Sequence, residues 1–378
     1  MQSLGSSQRT FLLATPGRAA FSLPGFLLFL RDNTLLAQRL NLGSLKMEGE
    51  PVAVAEDVRT GGNNGRNNFS VSENGVLAYR SGGTAGNVQL TWHTRDGKPA
   101  GVAGPPGDYS QIELSPDDKR VAVERFPTGS GGGGIDLWLL DLPSGVFSRL
   151  TTGVDSERDP VWSPDSQRIA YGVDGKDYGI REIVVGTGEA PVFSDGKPSP
   201  LDDWSHDGKF LLYHGVGGSM ISVLPLSGDR KPQVVYQTSF QKDQVRLSPD
   251  GRSVAYTSFE SGQPEVYLAA FPSFTDRRQI SSGTGLMPRW RRDGKELYFF
   301  STGGTRKMMA VEIKAGPKLE TGLPKILFEA NVPVSATNYN YAVTSDGQKF
   351  LIREPVSSTN GAIEPIHLVI NWLAALAR

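Results

Sequence analysis

Nine residues could gather into one polar site: Asn68, Tyr109, Arg158, Asp159, Asp202, Asp203, Asp243, Arg289 and Asn338. Each stands at or just ahead of an apolar anchor that leads into a turn, so a fold that brings the anchors together would bring these residues together too. Acidic, amide, aromatic and basic groups are all present, a mixture that suits a peptide, a glycan or a small polar ligand. The alternative is a water-filled channel that binds nothing specific. Oxygen ligands for a cation are also at hand. The run "DSERD" (155–159) and the pair Asp202 and Asp203 could meet and hold calcium, the one ion this set suits, although neither matches a calcium-loop pattern.

Other chemistry fails on spacing. The four histidines, His93, His206, His214 and His367, form no His-Glu-x-x-His pair and no cluster with metal-ligand spacing, so no metal site or other cofactor is expected. The run "GSGGGG" (129–134) looks like a phosphate loop, but it leads into the strand-like "IDLWLLDL" and not into a helix N-terminus. A kinase catalytic set is missing, and so is the Gly-x-Ser-x-Gly elbow of a peptidase. The chain is expected not to be an enzyme. A glycan lyase or hydrolase, with carboxylates or histidines converging from separate parts of the chain, is the alternative.

Aspartates recur too regularly to be catalysts. "LSPDDKRVAV", "VWSPDSQRIAYG", "WSHDGKFLLY", "LSPDGRSVAY", "WRRDGKELYF" and "VTSDGQKFLI" place Asp117, Asp165, Asp207, Asp250, Asp293 and Asp346 in one frame. A catalytic acid is needed once, whereas a turn residue is needed in every repeat, where its side chain bonds the backbone two residues on. Trp162, Trp204 and Trp290 share the column before the turn, where packing between neighbouring repeats is the expected role.

Those sentences, with the weaker "VSENGVLAYR" and "FSLPGFLLFL", make eight copies anchored at Phe21, Val71, Leu114, Trp162, Trp204, Leu247, Trp290 and Val343, spaced by 42 to 53 residues. That period belongs to solenoids, propellers and arrays. Each copy reads as a hairpin followed by two more strands, as in "EVYLAAF" and "RRQISS", and four antiparallel strands in such a length make one propeller blade. The expected fold is all-β: one β-propeller over residues 1–378, with eight blades beginning near 18, 68, 110, 158, 201, 244, 288 and 340, or seven as the alternative. The lone strand-like "RTFLLAT", near 9–15, is expected to close the ring beside Ile366 to Trp372 in the last blade.

Composition agrees with short strands and tight turns: among 378 residues there are 45 Gly, 25 Pro and no Cys, with 39 Lys and Arg against 40 Asp and Glu. No basic excess points to nucleic acid, and no apolar run approaches the ~20 residues that span a bilayer, so no membrane contact is expected of this chain itself. "RAAFSLPGFLLFL" (18–30) resembles a secretion signal but lacks a small-residue cleavage site, and its Pro24 and Gly25 fall where the repeat sets its turn. A strand-turn-strand reading is preferred there.

The "WSPDG"-like turn before an aliphatic-aromatic strand resembles the TolB-type, WD-repeat-like propeller repeat, although no Trp-Asp dipeptide occurs. The opening "GFLLFLRDNTLLAQRLNL" and the closing "DGQKFLIREP" with "PIHLVINWLAAL" are also similar to the C-terminal propeller of transmembrane serine/threonine protein kinases of acidobacteria. That resemblance implies an extracytoplasmic or periplasmic, non-catalytic sensor or protein-interaction module. It could be a free-standing monomer or part of a longer membrane-anchored kinase.

Overall fold

Alternating side chains in the second strands reach two neighbours at once. Along Arg168–Asp174, Ile169, Tyr171 and Val173 join Ala122 and Leu137 on one side, while Ala170 joins Leu201, Trp204 and Leu211 on the other. A strand buried on both faces needs apolar residues on both, which is why these runs read as nearly continuous hydrophobic stretches. The computed structural model describes residues 11–13, 19–31, 34–56, 58, 69–80, 87–126, 134–153, 155–175, 178–186, 188–194, 200–215, 217–314, 319–333, 338–356 and 366–377. Among them, no helix is long and apolar enough to cross a membrane.

The chain divides into two compact units. The larger comprises 88–127 and 133–356 and contains the strands of six antiparallel blades, here III to VIII, named by the repeat that supplies the first strand: IV, V and VI are separate four-stranded sheets, VII is a five-stranded sheet, and III and VIII share one seven-stranded sheet. Those first strands are the C-terminal part of Pro99–Leu114, then Ser156–Trp162, Leu201–Trp204, Lys242–Leu247, Leu286–Trp290 and Tyr341–Val343. Six apolar clusters lie one between each pair of neighbours. They join III to IV, IV to V, V to VI, VI to VII, VII to VIII and VIII back to III, so the blades close into a ring. The larger unit is a β-propeller.

The smaller unit holds the first two repeats as sheets I and II. Sheet I contains Ala20–Ser22, Phe26–Arg31, Thr34–Asn41 and Lys46–Ala55, with the turn at Pro24 and Gly25 as the repeat frame requires. Sheet II is Phe69–Val71, Val76–Arg80 and Ile366–Ile370. Leu28, Leu30, Leu35 and Ala37 of sheet I share a core with Leu77 and the fully buried Trp372. The first strands of six repeats thus lie in the larger unit and those of the first two in the smaller, where the repeat alone suggested one body.

Ring closure differs from expectation in the strand that performs it. Ile366–Ile370 pairs with Val76–Arg80, and Phe11–Leu13 carries no strand, while Thr10 and Ala14 lie outside the described residues. The last repeat is instead completed by Asn87–Thr94, which pairs with Lys349–Pro355 and turns at Thr94–Gly97 into Pro99–Leu114. The second and last repeats therefore exchange outer strands. The exchange meets the same physical demand that prompted the expectation, because it leaves no unpaired edge on Lys349–Pro355.

A further irregularity recurs. In blades III to VII the first strand slips register by one residue against the second, between Tyr109 and Gln111, Arg158 and Val161, Leu201 and Asp203, Asp243 and Arg246, and Leu286 and Arg289. Asp159, Gln244 and Met287 take positive φ there. Each slip is a β-bulge, which re-aims the side chains that follow it. After the slip, the position directly before the anchor is Glu113, Val161, Asp203, Arg246 or Arg289.

Candidate functional site

Directly before the anchors, charged residues stand in four of the six first strands: Glu113, Asp203, Arg246 and Arg289. Arg246 donates to both oxygens of Glu113 at 3.0 and 2.9 Å, and Arg289 does the same at 2.9 and 2.6 Å. The three side chains come from blades III, VI and VII and are each more than nine-tenths buried. Tyr339, from blade VIII, lies against both guanidinium groups, its ring centroid 4.2 Å from Arg246 and 4.3 Å from Arg289. Burial alone would push the Glu113 carboxyl up, but the two arginines hold it below the usual range. Two bidentate pairs on one carboxylate give a fixed knot that keeps one positive charge in excess. Asp203 is 3.6 Å from Arg246, and burial raises its pKa.

Above this floor opens a cavity of about 150 Å³ lined by residues of all six blades. Leu114, Trp162, Trp204, Leu247, Trp290 and Val343 form its wall, and the rim is made by turn residues that include Pro116, His206 and Arg292. The rim is tied across blades: Ser345 donates through its backbone and hydroxyl to Asp118, and Arg292 donates to the Pro116 carbonyl. The turn aspartates play the structural part expected of them. Asp165, for example, accepts from Ser163 Oγ at 2.5 Å and from the Gln167 backbone at 3.0 Å, and the Ser163 bond leads the causes that lower its pKa. The tryptophans also pack between blades. Arg120 lies 5.6 Å from the Trp162 ring centroid and Arg168 lies 5.1 Å from that of Trp204.

The opposite end of the channel, where the first strands begin, is filled by buried polar groups. His214 sits between two carboxylates, with Nδ1 2.8 Å from Asp202 and Nε2 3.2 Å from Asp243. Burial opposes its charge, yet the two aspartates lift its pKa to about 10, so the imidazolium is the resident form. Nearby, Glu124 accepts from Ser110 Oγ and from the Asp159 backbone, each at 2.5 Å. Burial and the charge of Glu124 raise Asp159 well above the usual carboxylate value, and burial raises Glu124 as well.

Six of the nine residues picked from the sequence are therefore distributed over the two ends. Asp203 and Arg289 face the cavity. Asp202, Asp243 and Asp159 belong to the filled end, and Asn338 joins them by donating to the Ser110 carbonyl at 3.0 Å. Tyr109 is a packing residue whose hydroxyl donates to the Pro105 carbonyl, and Arg158 lies 3.7 Å from Asp174. Asn68 lies outside the described residues, as does most of the "GSGGGG" run. Glu113, Arg246, His214 and Glu124 were missed. Among the described residues, no group of three or more Asp, Glu or His side chains is arranged to hold a metal ion. His93 stacks on Phe328 and His367 on Tyr79.

No protein-family model matches the chain, and no curated protein is similar to it in sequence. Solved structures do share its fold. A protein assigned as TolB from Agrobacterium tumefaciens superposes with a TM-score of 0.56 at 18% identity, over 71% of this chain and 99% of that one. TolB from Acinetobacter baumannii gives 0.50 at 19% identity, over 63% of this chain and 64% of its own length. The fold is thus a TolB-type β-propeller.

Proposed function

We propose that the larger unit is a non-catalytic binding module that holds a peptide segment of a partner protein at the turn end of its channel. One observation carries this reading: the cavity is concave, walled by apolar side chains and floored by a few fixed polar ones, with every blade contributing. Acid-base chemistry needs a carboxylate or imidazole free to exchange a proton with substrate. At the floor Glu113 is clamped by two arginines, and at the other end Asp202, His214 and Asp243 are clamped to one another. The resemblance to extracytoplasmic kinase propellers, together with the TolB-type fold, supports work outside the cytoplasm, either as a sensor beside a kinase or as a free-standing scaffold.

The test is selection of unstructured decapeptides from a displayed library on the intact chain, followed by titration against a rim variant carrying His206→Glu and Arg292→Glu. Selected peptides are expected to bind in the micromolar range and to lose at least tenfold on the rim variant while its melting temperature is kept. An unenriched library, or binding indifferent to the rim, overturns the proposal.

A further inference from the structure

In the smaller unit, sheet II is apolar on both faces although one of them is open to solvent. Its strand Val76–Arg80 lies between Phe69–Val71 and Ile366–Ile370, and the register fixes which side chains share a face. Phe69, Val71, Leu77, Tyr79 and Val369 turn toward sheet I and belong to the shared core. The alternate positions form the outer face: Ile366 beside Arg80, Leu368 beside Ala78 and Ile370 beside Val76. Ile366, Leu368 and Ile370 are 67%, 66% and 80% exposed. A sheet with one solvated face ordinarily turns polar residues outward, so three large aliphatic side chains there mark a surface that a partner covers.

The outer face is complementary to its own copy. Ile366, Leu368 and Ile370 read the same in both directions by shape and polarity, and a two-fold axis crossing the strand at Leu368 sets Ile366 of one copy over Ile370 of the other and Leu368 over itself. The charges at the two ends match under the same axis. Exposed Arg80 stands beside Ile366, whereas exposed Glu73 lies in the turn that precedes Val76, at the Ile370 end. The rotation brings each Arg80 to the end that carries the other copy's Glu73, while a parallel stack would set Arg80 over Arg80. Sheet I already covers the inner face by stacking, so the outer contact continues an arrangement the unit uses. From the exposure of the three side chains, the pair would bury about 800 Å² in total, the size of a reversible contact and not of a permanent dimer.

We propose that sheet II is a self-association surface, on which a second copy of this chain docks face to face and antiparallel about Leu368. Stacking covers the aliphatic triplet of both copies and places two Arg80–Glu73 pairs at the margins of the contact.

Sedimentation velocity of the full chain, over a concentration series reaching the high micromolar range, reads the association. The sedimentation coefficient is expected to rise with concentration toward that of a dimer. Leu368→Lys is expected to hold the chain monomeric while its melting temperature is kept, and Arg80→Glu to weaken the dimer about tenfold. Combining Arg80→Glu with Glu73→Arg exchanges the two charges and is expected to restore association, a rescue that non-specific apolar sticking would not show. Should Leu368→Lys unfold the chain, Ile370→Gln, at the most exposed of the three positions, serves in its place. A chain that stays monomeric throughout the series, or a dimer indifferent to the face variants, overturns the proposal. Association that the face variant abolishes but the charge exchange does not restore overturns the antiparallel docking.

Discussion

At the scale of single residues, the channel is governed by charges that burial makes expensive and partners make tolerable. His214 is the clearest case, because its pKa rises from 6.5 to about 10. A raised folded value means that the contribution is fully present below the unfolded value and is lost as pH climbs through the folded one. Glu157, lifted to about 7 first by burial and then by Asp136, acts in the same sense, as do Asp159 and Glu124. The melting temperature of the larger unit is therefore expected to fall between pH 6 and pH 10, and His214→Gln should flatten that fall; a melt indifferent to pH would contradict the charged assignment. Glu113→Gln strands two buried guanidinium groups and should cost about 3 kcal/mol or more in denaturant unfolding. These residues were only partly legible. Glu113, Asp203, Arg246 and Arg289 all stand directly before an anchor, but nothing in the sequence shows that this position, and not Tyr109 or Asp243 further ahead, faces the cavity. Their column holds valine and alanine as well, and the bulges that aim it into the channel leave no mark of composition. His214 ends a second strand, a position the repeat frame does not mark.

At the scale of elements, the hairpin sentence was legible almost in full. Ser, Asp and Gly at fixed offsets are local chemistry, so each turn could be read without knowing its neighbours. What the tryptophans bond to could not be read, since the acceptor lies on the preceding blade. The difference among them makes a prediction independent of any ligand. Each Trp→Phe change removes buried ring volume, but Trp162→Phe and Trp290→Phe also break indole bonds to the Glu113 and Arg246 carbonyls, so by chemical denaturation each should cost about 1 kcal/mol more than Trp204→Phe. Trp204→Phe deletes a donor that has no protein partner and should cost only the packing of the removed ring atoms. Equal losses at all three positions would mean that packing volume, and not the bond, decides the column.

At the scale of the molecule, periodicity gave the repeats but not how their strands are shared among sheets, because strand pairing between distant repeats leaves no local trace. Repeats two and eight look like the others, yet Asn87–Thr94 pairs across the ring closure and Ile366–Ile370 pairs back to repeat two. The exchange assigns to residues 88–107 a role that their own repeat would not suggest. They complete blade VIII, and Val88, Leu90 and Ala103 fill the last of the six interfaces. Removing residues 1–87 leaves all six clusters of the larger unit intact, whereas removing residues 1–107 opens the edge of Lys349–Pro355 and strips one face of the VIII–III cluster. A fragment of 88–356 should then melt cooperatively with the far-ultraviolet signature of strands, and one of 108–356 should melt broadly and aggregate. Cooperative folding of the shorter fragment would show that five interfaces suffice and that closure serves something other than stability. Failure of the longer one would show that residues outside 88–356 are needed for the ring to fold.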